Sequence, residues 1–173
     1  SAALISDAGT PAISDPGVRI VRACHEAGIQ CIPIPGPSAV VAAISACGII
    51  HDSFRFMGFF PRNEGERVSV LENHRYNSDL LVAFESPKRI ISLLETIVQV
   101  LGADWEICLA RELTKKFEEI IKMPAGLLLE NILENPRKGE ICILIAPGIT
   151  KSPDDWPIEA DKLLCALKGK LAP

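Results

Sequence analysis

Leu80-Leu81-Val82-Ala83-Phe84-Glu85-Ser86-Pro87-Lys88-Arg89-Ile90-Ile91-Ser92-Leu93-Leu94-Glu95-Thr96-Ile97-Val98-Gln99-Val100-Leu101-Gly102 is the stretch whose reading decides the fold. Residues 80–84 are an unbroken apolar run of strand length, which predicts a buried strand. Ser86-Pro87 then reads as a helix cap. Beyond it Ile90, Ile91, Leu93, Leu94, Ile97, Val98 and Leu101 recur with the period of a helix, while Lys88, Arg89, Ser92, Glu95, Thr96 and Gln99 fill the other face. Gly102 ends the helix. The result is strand, polar turn, amphipathic helix.

The same alternation extends in both directions. Upstream, Leu4-Ile5 reads as a strand end, and Ser6-Asp7-Ala8-Gly9-Thr10-Pro11 as a loop. A helix is predicted from Asp15-Pro16, carrying Val18, Val21 and Cys24 inward and stopped by Gly28. Ile29 to Ile34 reads as a strand, Pro35-Gly36-Pro37-Ser38 as a turn, and Ala39 to Cys47 as a helix of small residues ended by Gly48. Phe54 to Phe60 is a predicted strand and Glu64 to Arg75 an exposed helix. Downstream, Glu106 to Ala110 is a strand whose predicted partner, Phe117 to Ile121, lies across Leu113-Thr114-Lys115-Lys116. Ala125 to Leu133 reads as a helix, Glu140 to Ala146 as a strand, and residues 160–167 as a helical tail. Strands alternating with helices predict α/β architecture with mainly parallel sheets. His51-Asp52-Ser53 reads as a linker dividing two units, residues 1–50 and 51–173.

Composition narrows the function classes. The 173 residues are 48% hydrophobic and 23% charged, with mean hydropathy +0.24, enough apolar material for a packed core. Eighteen Lys and Arg against 22 Asp and Glu give a net charge of −4, which excludes a strongly basic nucleic-acid-coating protein but not a local basic patch. The longest uncharged run, Ala27 to Ile50, is broken by Pro33, Pro35, Gly36 and Pro37, so no membrane span is predicted. Cys24, Cys31, Cys47, Cys108, Cys142 and Cys165 sit in apolar segments, and none forms a Cys-x-x-Cys pair. They read as reduced structural cysteines of a cytoplasmic protein, not as a zinc site or disulfide framework. The chain opens on Ser1 and runs at once into Ala2-Ala3-Leu4-Ile5, as if beginning inside a strand.

Two loops of the first unit run from a predicted strand into a helix start, the place where open α/β sheets collect ligands. Ser6, Asp7, Thr10 and Ser38 give them polar side chains. Neither loop is a dinucleotide or triphosphate fingerprint. Both readings stand at this point: ligand loops, or turns and caps with no further role. In the second unit the charged run Arg111-Glu112-Leu113-Thr114-Lys115, with Glu118-Glu119, reads either as a surface ion-pair network or as a strand end facing a cleft. His25, His51 and His74 have no partner at triad or metal spacing, so hydrolytic and metal chemistry are not predicted.

Several longer strings follow in order: Ser6 to Pro11 with Ser14-Asp15-Pro16-Gly17; Pro35-Gly36-Pro37-Ser38-Ala39; Gly58-Phe59-Phe60-Pro61-Arg62; Glu85-Ser86-Pro87-x-Arg89; Ala110 to Lys115 continuing to Phe117-Glu118-Glu119; and Lys138-Gly139-Glu140. From Ala2 to about Ile145 the chain resembles the ribosomal RNA small subunit methyltransferase I family, a ribose 2′-O-methyltransferase branch of the tetrapyrrole methylase superfamily. The resemblance implies two α/β units, the first incomplete because the family's opening strand and Gly-Asn loop are absent. It implies S-adenosylmethionine in the cleft between the units, a homodimer, and small-subunit rRNA as the substrate, methylated at a cytidine 2′-hydroxyl. It places cofactor contacts on Gly9, Thr10, Pro11, Ile13, Ser38, Ala39, Glu85, Leu113 and Ile141. Arg111 and Lys115 are expected to position RNA, and Glu112 to accept the hydroxyl proton. Arg62, Arg67, Lys88, Arg89, Arg111, Lys115, Lys116 and Lys122 are the expected basic patch. Two other functions stay open: a small-molecule tetrapyrrole methyltransferase, and a non-catalytic fragment that keeps the fold.

Overall fold

A computed structural model of the chain describes residues 2–7, 9–149 and 167. The helical tail expected over 160–167 lies outside the described residues except for Leu167, which is helical. Among the described residues, five helices and five strands follow in the order α1 (Val18–Glu26), α2 (Ala39–Cys47), β1 (Phe54–Phe59), α3 (Glu64–His74), β2 (Leu80–Glu85), α4 (Ile90–Val100), β3 (Glu106–Arg111), β4 (Glu119–Pro124), α5 (Ala125–Glu134) and β5 (Ile141–Ile145).

The strands form one sheet in the order β1-β2-β5-β3-β4. Only β1 and β2 run parallel; β2 with β5, β5 with β3, and β3 with β4 are antiparallel. The expectation of mainly parallel sheets is therefore corrected. The reason is that the Leu113–Lys116 turn brings β4 straight back along β3, and β5 enters between β2 and β3 against both. Alternation of element types does not encode that insertion.

Period-2 patterning splits the sheet into two covered faces. Leu81, Ala83, Ile107, Leu109, Ile141, Ile143 and Ile145 pack with Leu93, Leu94 and Ile97 of α4 and Leu128 and Ile132 of α5. Burying each such side chain contributes roughly 1.5–3 kcal/mol. The opposite face, with Val82, Cys108, Ala110, Cys142 and Leu144, is covered by Val40, Ala43 and Cys47 of α2. Small side chains on α2 let its backbone approach the sheet closely, and Gly48 ends the helix in the left-handed conformation at φ 62°. Burial pushes the thiols of Cys108 and Cys142 up to about 12, so both are neutral core residues.

Several predicted elements shift. Leu4-Ile5 and Ile29–Ile34 are not strands, because they find no neighbouring strand among the described residues; Ile32 and Ile34 lie open to solvent. A strand without a ladder leaves its backbone groups unpaired. α1 begins at Val18 after Gly17, not at Asp15-Pro16, and buries none of its residues, so Val18, Val21 and Cys24 do not form a core face. α4 begins at Ile90, and Thr96, read as solvent-facing, is buried with its hydroxyl donating to Ser92 O at 2.8 Å. β4 sits two residues later than expected, pairing Arg111 with Glu119 and Glu106 with Pro124.

Candidate functional site

Glu85, Ile141, Arg111 and Glu119 stand in one register row across β2, β5, β3 and β4, at the carboxyl ends of β2 and β3. Their side chains share the α4 face. Leu113, just beyond β3, packs instead on the α2 face, in the cluster that holds Val40. The expected cofactor residues Glu85, Leu113 and Ile141 are thus brought to one sheet edge but divided between its two faces. The Ile141 side chain is sealed in the core, which leaves only its main chain at the edge.

The charged residues form a lattice of two neighbouring networks. Arg111 Nε donates to Glu119 Oε2 at 3.0 Å, and its Nη1 donates to Lys138 O at 3.0 Å. Arg137 grips the same carboxylate with Nε at 2.9 Å and Nη2 at 3.1 Å, and its Nη2 also donates to Asn131 Oδ1 at 2.9 Å. Lys115 Nζ lies 3.0 Å from both Glu112 Oε1 and Glu140 Oε2. Glu112 Oε1 also accepts the Glu140 N–H at 2.9 Å. That bond, followed by the Lys115 ammonium, holds the Glu112 carboxyl below its ordinary value; hydrogen bonds to Glu140 and Glu112 push Lys115 above its own. At neutral pH Lys115 is an ammonium and Glu112 a weakly basic carboxylate. Lys115 is therefore no proton acceptor.

The turn is built for this lattice. Glu112 and Thr114 take positive φ values of 51° and 65°. Gly139, at φ 96°, has no Cβ, and one placed there would overlap the Glu112 carboxylate. Leu113, between the two left-handed residues, has no intrachain backbone partner among the described residues for its N–H or C=O.

Before α2, Thr10 Oγ1 donates to Pro37 O at 3.0 Å, tying the two Gly/Pro loops together. Ser38 caps α2 by accepting the Val41 N–H at 3.5 Å, leaving the N–H groups of Ala39 and Val40 at the helix start. Ser14 lies against Gly58 of β1, so loop 9–14 stands near the end of β1. Gly9, Thr10, Pro11, Ile13, Ser38 and Ala39 thus gather on the α2 side, as Leu113 does. Half-exposed Ile13 and half-buried Leu113 supply apolar cover; the Leu113 and Ala39 main chains supply unused donors and an acceptor. That donor set fits a nucleoside with an attached polar chain, with no metal required. No group of His, Cys, Asp or Glu among the described residues could hold a metal ion, and no helix among them is long and apolar enough to cross a membrane.

Glu85 occupies a different setting. It is 3% exposed; Oε1 accepts the Ser86 N–H at 2.7 Å, and Oε2 lies 3.1 Å from Arg89 Nη2. Arg89 Nη2 donates to Phe60 O at 2.6 Å and Pro61 O at 3.2 Å. Desolvation raises the Glu85 carboxyl, against the opposing Ser86 N–H, Arg89 and Arg67. Glu85 here anchors a loop, and its side chain is not open to a ligand. Sequence reasoning missed Arg137 altogether, although its place beside Lys138-Gly139-Glu140 was a usable signal. The expected basic patch is corrected: Arg67 is buried, and Arg89, Arg111, Lys115 and Lys122 are bound to acidic or carbonyl partners. Arg62, Lys88 and Lys116 remain exposed without an ion pair among the described residues.

The family profile of the Tetrapyrrole (Corrin/Porphyrin) Methylases matches residues 1–128. The chain belongs to the tetrapyrrole methylase family. Relatives named ribosomal RNA small subunit methyltransferase I include one from Escherichia coli O157:H7, 43% identical over 98% of this chain and 59% of its own length. One from Haemophilus influenzae is 47% identical over 87% of this chain and 53% of its own. The chain spans about three fifths of the length of the first of these relatives. Among solved structures, the methyltransferase CobJ superposes with a TM-score of 0.60 at 17% identity, covering 83% of this chain and 64% of CobJ. Uroporphyrin-III C-methyltransferase from Thermus thermophilus, in complex with S-adenosyl homocysteine, superposes at 0.52 with 16% identity, covering 79% and 62%. At these identities the structures speak for the tetrapyrrole methylase fold alone.

Proposed function

We propose that this chain is the greater part of an S-adenosylmethionine-dependent methyltransferase acting on small-subunit ribosomal RNA, at the 2′-hydroxyl of a cytidine. The observation that carries the reading is the 43% identity, over nearly the whole chain, to a relative bearing that rRNA methyltransferase name. The edge geometry supports it. S-adenosylmethionine supplies an electrophilic methyl group on a sulfonium. Thr10 and Pro37 hold the two loops of its site together, Ser38 presents the α2 N-terminus, and Leu113 offers main-chain groups above an apolar side chain. Lys115, kept cationic by two carboxylates, contacts an RNA phosphate and sets the register of the ribose. Arg111 fixes the turn that carries Leu113 and Lys115. Glu112 orients the hydroxyl and takes its proton only weakly, given its lowered pKa. We read residues 1–50 as part of the cofactor-binding unit and 51–173 as the second unit, and the protein as a cytoplasmic homodimer.

Calorimetry on the full-length protein should show S-adenosylmethionine binding that weakens several-fold in Thr10→Ala and Ser38→Ala. Unchanged affinity in both variants removes those contacts. In methyl-transfer assays on small ribosomal subunits, Lys115→Ala should lose about tenfold or more in activity while cofactor affinity and melting temperature stay close to wild type. Arg111→Ala should lose activity as well, with a lower melting temperature, because Glu119 and Lys138 lose a partner. Normal methylation by both variants would return the lattice to a purely structural role. Transfer to a tetrapyrrole and not to rRNA would overturn the substrate.

A further inference from the structure

The end of β1, beside loop 9–14, carries a bulge. β1 pairs with β2 in simple register from Phe54 opposite Leu80 to Phe56 opposite Val82, then shifts so that Phe59 stands opposite Phe84. One extra residue is accommodated at Met57-Gly58, where Gly58 takes φ 75°. A bulge of this kind re-aims the side chain that follows it. Without it Phe59 would share the face of Met57, against the α4 core; with it, Phe59 joins Phe56 and Phe84 on the α2 face.

There Phe59 is 54% exposed. Its inner edge rests on Phe84, with ring centres 5.8 Å apart at 61°, and Phe84 rests in turn on Phe56 at 5.0 Å and 68°. The outer ring is thus open but braced. The next two residues are also fixed, since Arg89 holds the carbonyls of Phe60 and Pro61. Arg62 follows, exposed and without an ion pair among the described residues, as is Lys88 beside the clamp. Glu64 and Glu66 lie in the first turn of α3, where the helix N-terminus accounts for them.

We propose that Phe59 is a stacking platform for one unpaired base of the RNA substrate, with Arg62 contacting the adjoining phosphate; this rests on the rRNA reading above. Sequence-specific RNA recognition depends on unstacked bases laid on aromatic side chains. The cationic neighbours favour a polyanion over the cofactor, whose reacting centre is itself a cation. The Gly58 bulge and the Arg89 clamp are then positioning features, which place ring and charge at the sheet edge that carries Leu113.

The test is fluorescence anisotropy with a short single-stranded RNA oligonucleotide containing cytidine, alongside calorimetry with S-adenosylmethionine, on full-length protein. Phe59→Ala should weaken RNA binding by about 10- to 100-fold, the range expected for one lost base stack. Phe59→Trp should restore it and lose indole fluorescence when RNA binds. Arg62→Ala should weaken binding and flatten its salt dependence. Cofactor affinity and melting temperature should match wild type in all three. RNA affinity unchanged in Phe59→Ala overturns the proposal while leaving the rRNA reading intact. Weakened S-adenosylmethionine binding in Phe59→Ala overturns it in favour of an adenine contact. A wild-type protein that binds no RNA overturns both.

Discussion

Gly139→Ala should lower the melting temperature by at least about 2–4 °C, at roughly 2–4 °C per kcal/mol for a chain of this size. Two costs add. The backbone at φ 96° is disfavoured for any residue with a Cβ, costing on the order of 1 kcal/mol or more. The new methyl also overlaps the Glu112 carboxylate, forcing it away from the Glu140 N–H and from Lys115. The carboxylate then loses both partners, which adds to the backbone strain. The double variant Gly139→Ala with Glu112→Ala should recover part of the loss, because the overlap disappears while the backbone strain remains. Thermal denaturation of the four proteins in a double-mutant cycle measures the two costs separately. Equal melting temperatures for wild type and Gly139→Ala would overturn both the backbone strain and the overlap with Glu112.

Acid should destabilise the protein through His74 before the carboxylates titrate. The ring is 0% exposed on α3, and Nε2 lies 2.8 Å from Ala146 O. A carbonyl only accepts, so Nε2 carries the proton. Trp105 Nε1 donates to the same oxygen at 3.0 Å. Nδ1 is buried without a hydrogen-bond partner, so a second proton there is taken up away from water. Burial depresses the His74 pKa, with the charge of Arg55 adding and the backbone at Ala146 and Ile145 and the Asp79 charge opposing. The unfolded chain therefore takes up a proton before the folded one does. Stability is fully present above the ordinary histidine value near 6.5 and is lost as pH falls from there through the lower folded-state value. His74→Gln keeps a donor toward Ala146 and removes the titration. The difference in melting temperature between wild type and His74→Gln should shift with pH between about 7.5 and 5, cancelling the contribution of every carboxylate. A constant difference across that window would sink the assignment.

The strand-turn-helix at 80–102 was legible because its burial is carried by unbranched periodicity, and so was β5, an apolar run sealed on both faces. Its position between β2 and β3 was not legible, because strand order depends on contacts between distant residues. Ile29–Ile34 has strand composition and forms no strand, since composition supplies propensity but no ladder. The residues of the candidate site were largely present as motifs, yet their roles were not. Glu85 carries a carboxylate at a strand end, and only the structure reveals that it anchors Arg89 and the Phe60-Pro61 loop. The motif containing Lys115 gives no sign that Glu112 and Glu140 hold it from two sides. Phe59 looked like one more strand aromatic, because a bulge that flips a side chain is invisible to alternation.

The central place of β5 has a consequence for the order in which the molecule is made. β5 is the last of these five strands to leave the ribosome, yet among the described strands it is the one that pairs with both the β1–β2 pair and the β3–β4 pair. Until Ile141–Ile145 emerges, the nascent chain has two two-stranded ribbons with no strand joining them, each marginal on its own and each with an apolar edge open. The same arrival sets Ile141 between Glu85 and Arg111, so sheet and candidate site are completed together. A message broken before the codon for Ile141 would yield a product with paired strands, open edges and no site, one well suited to capture by chaperones and to clearance.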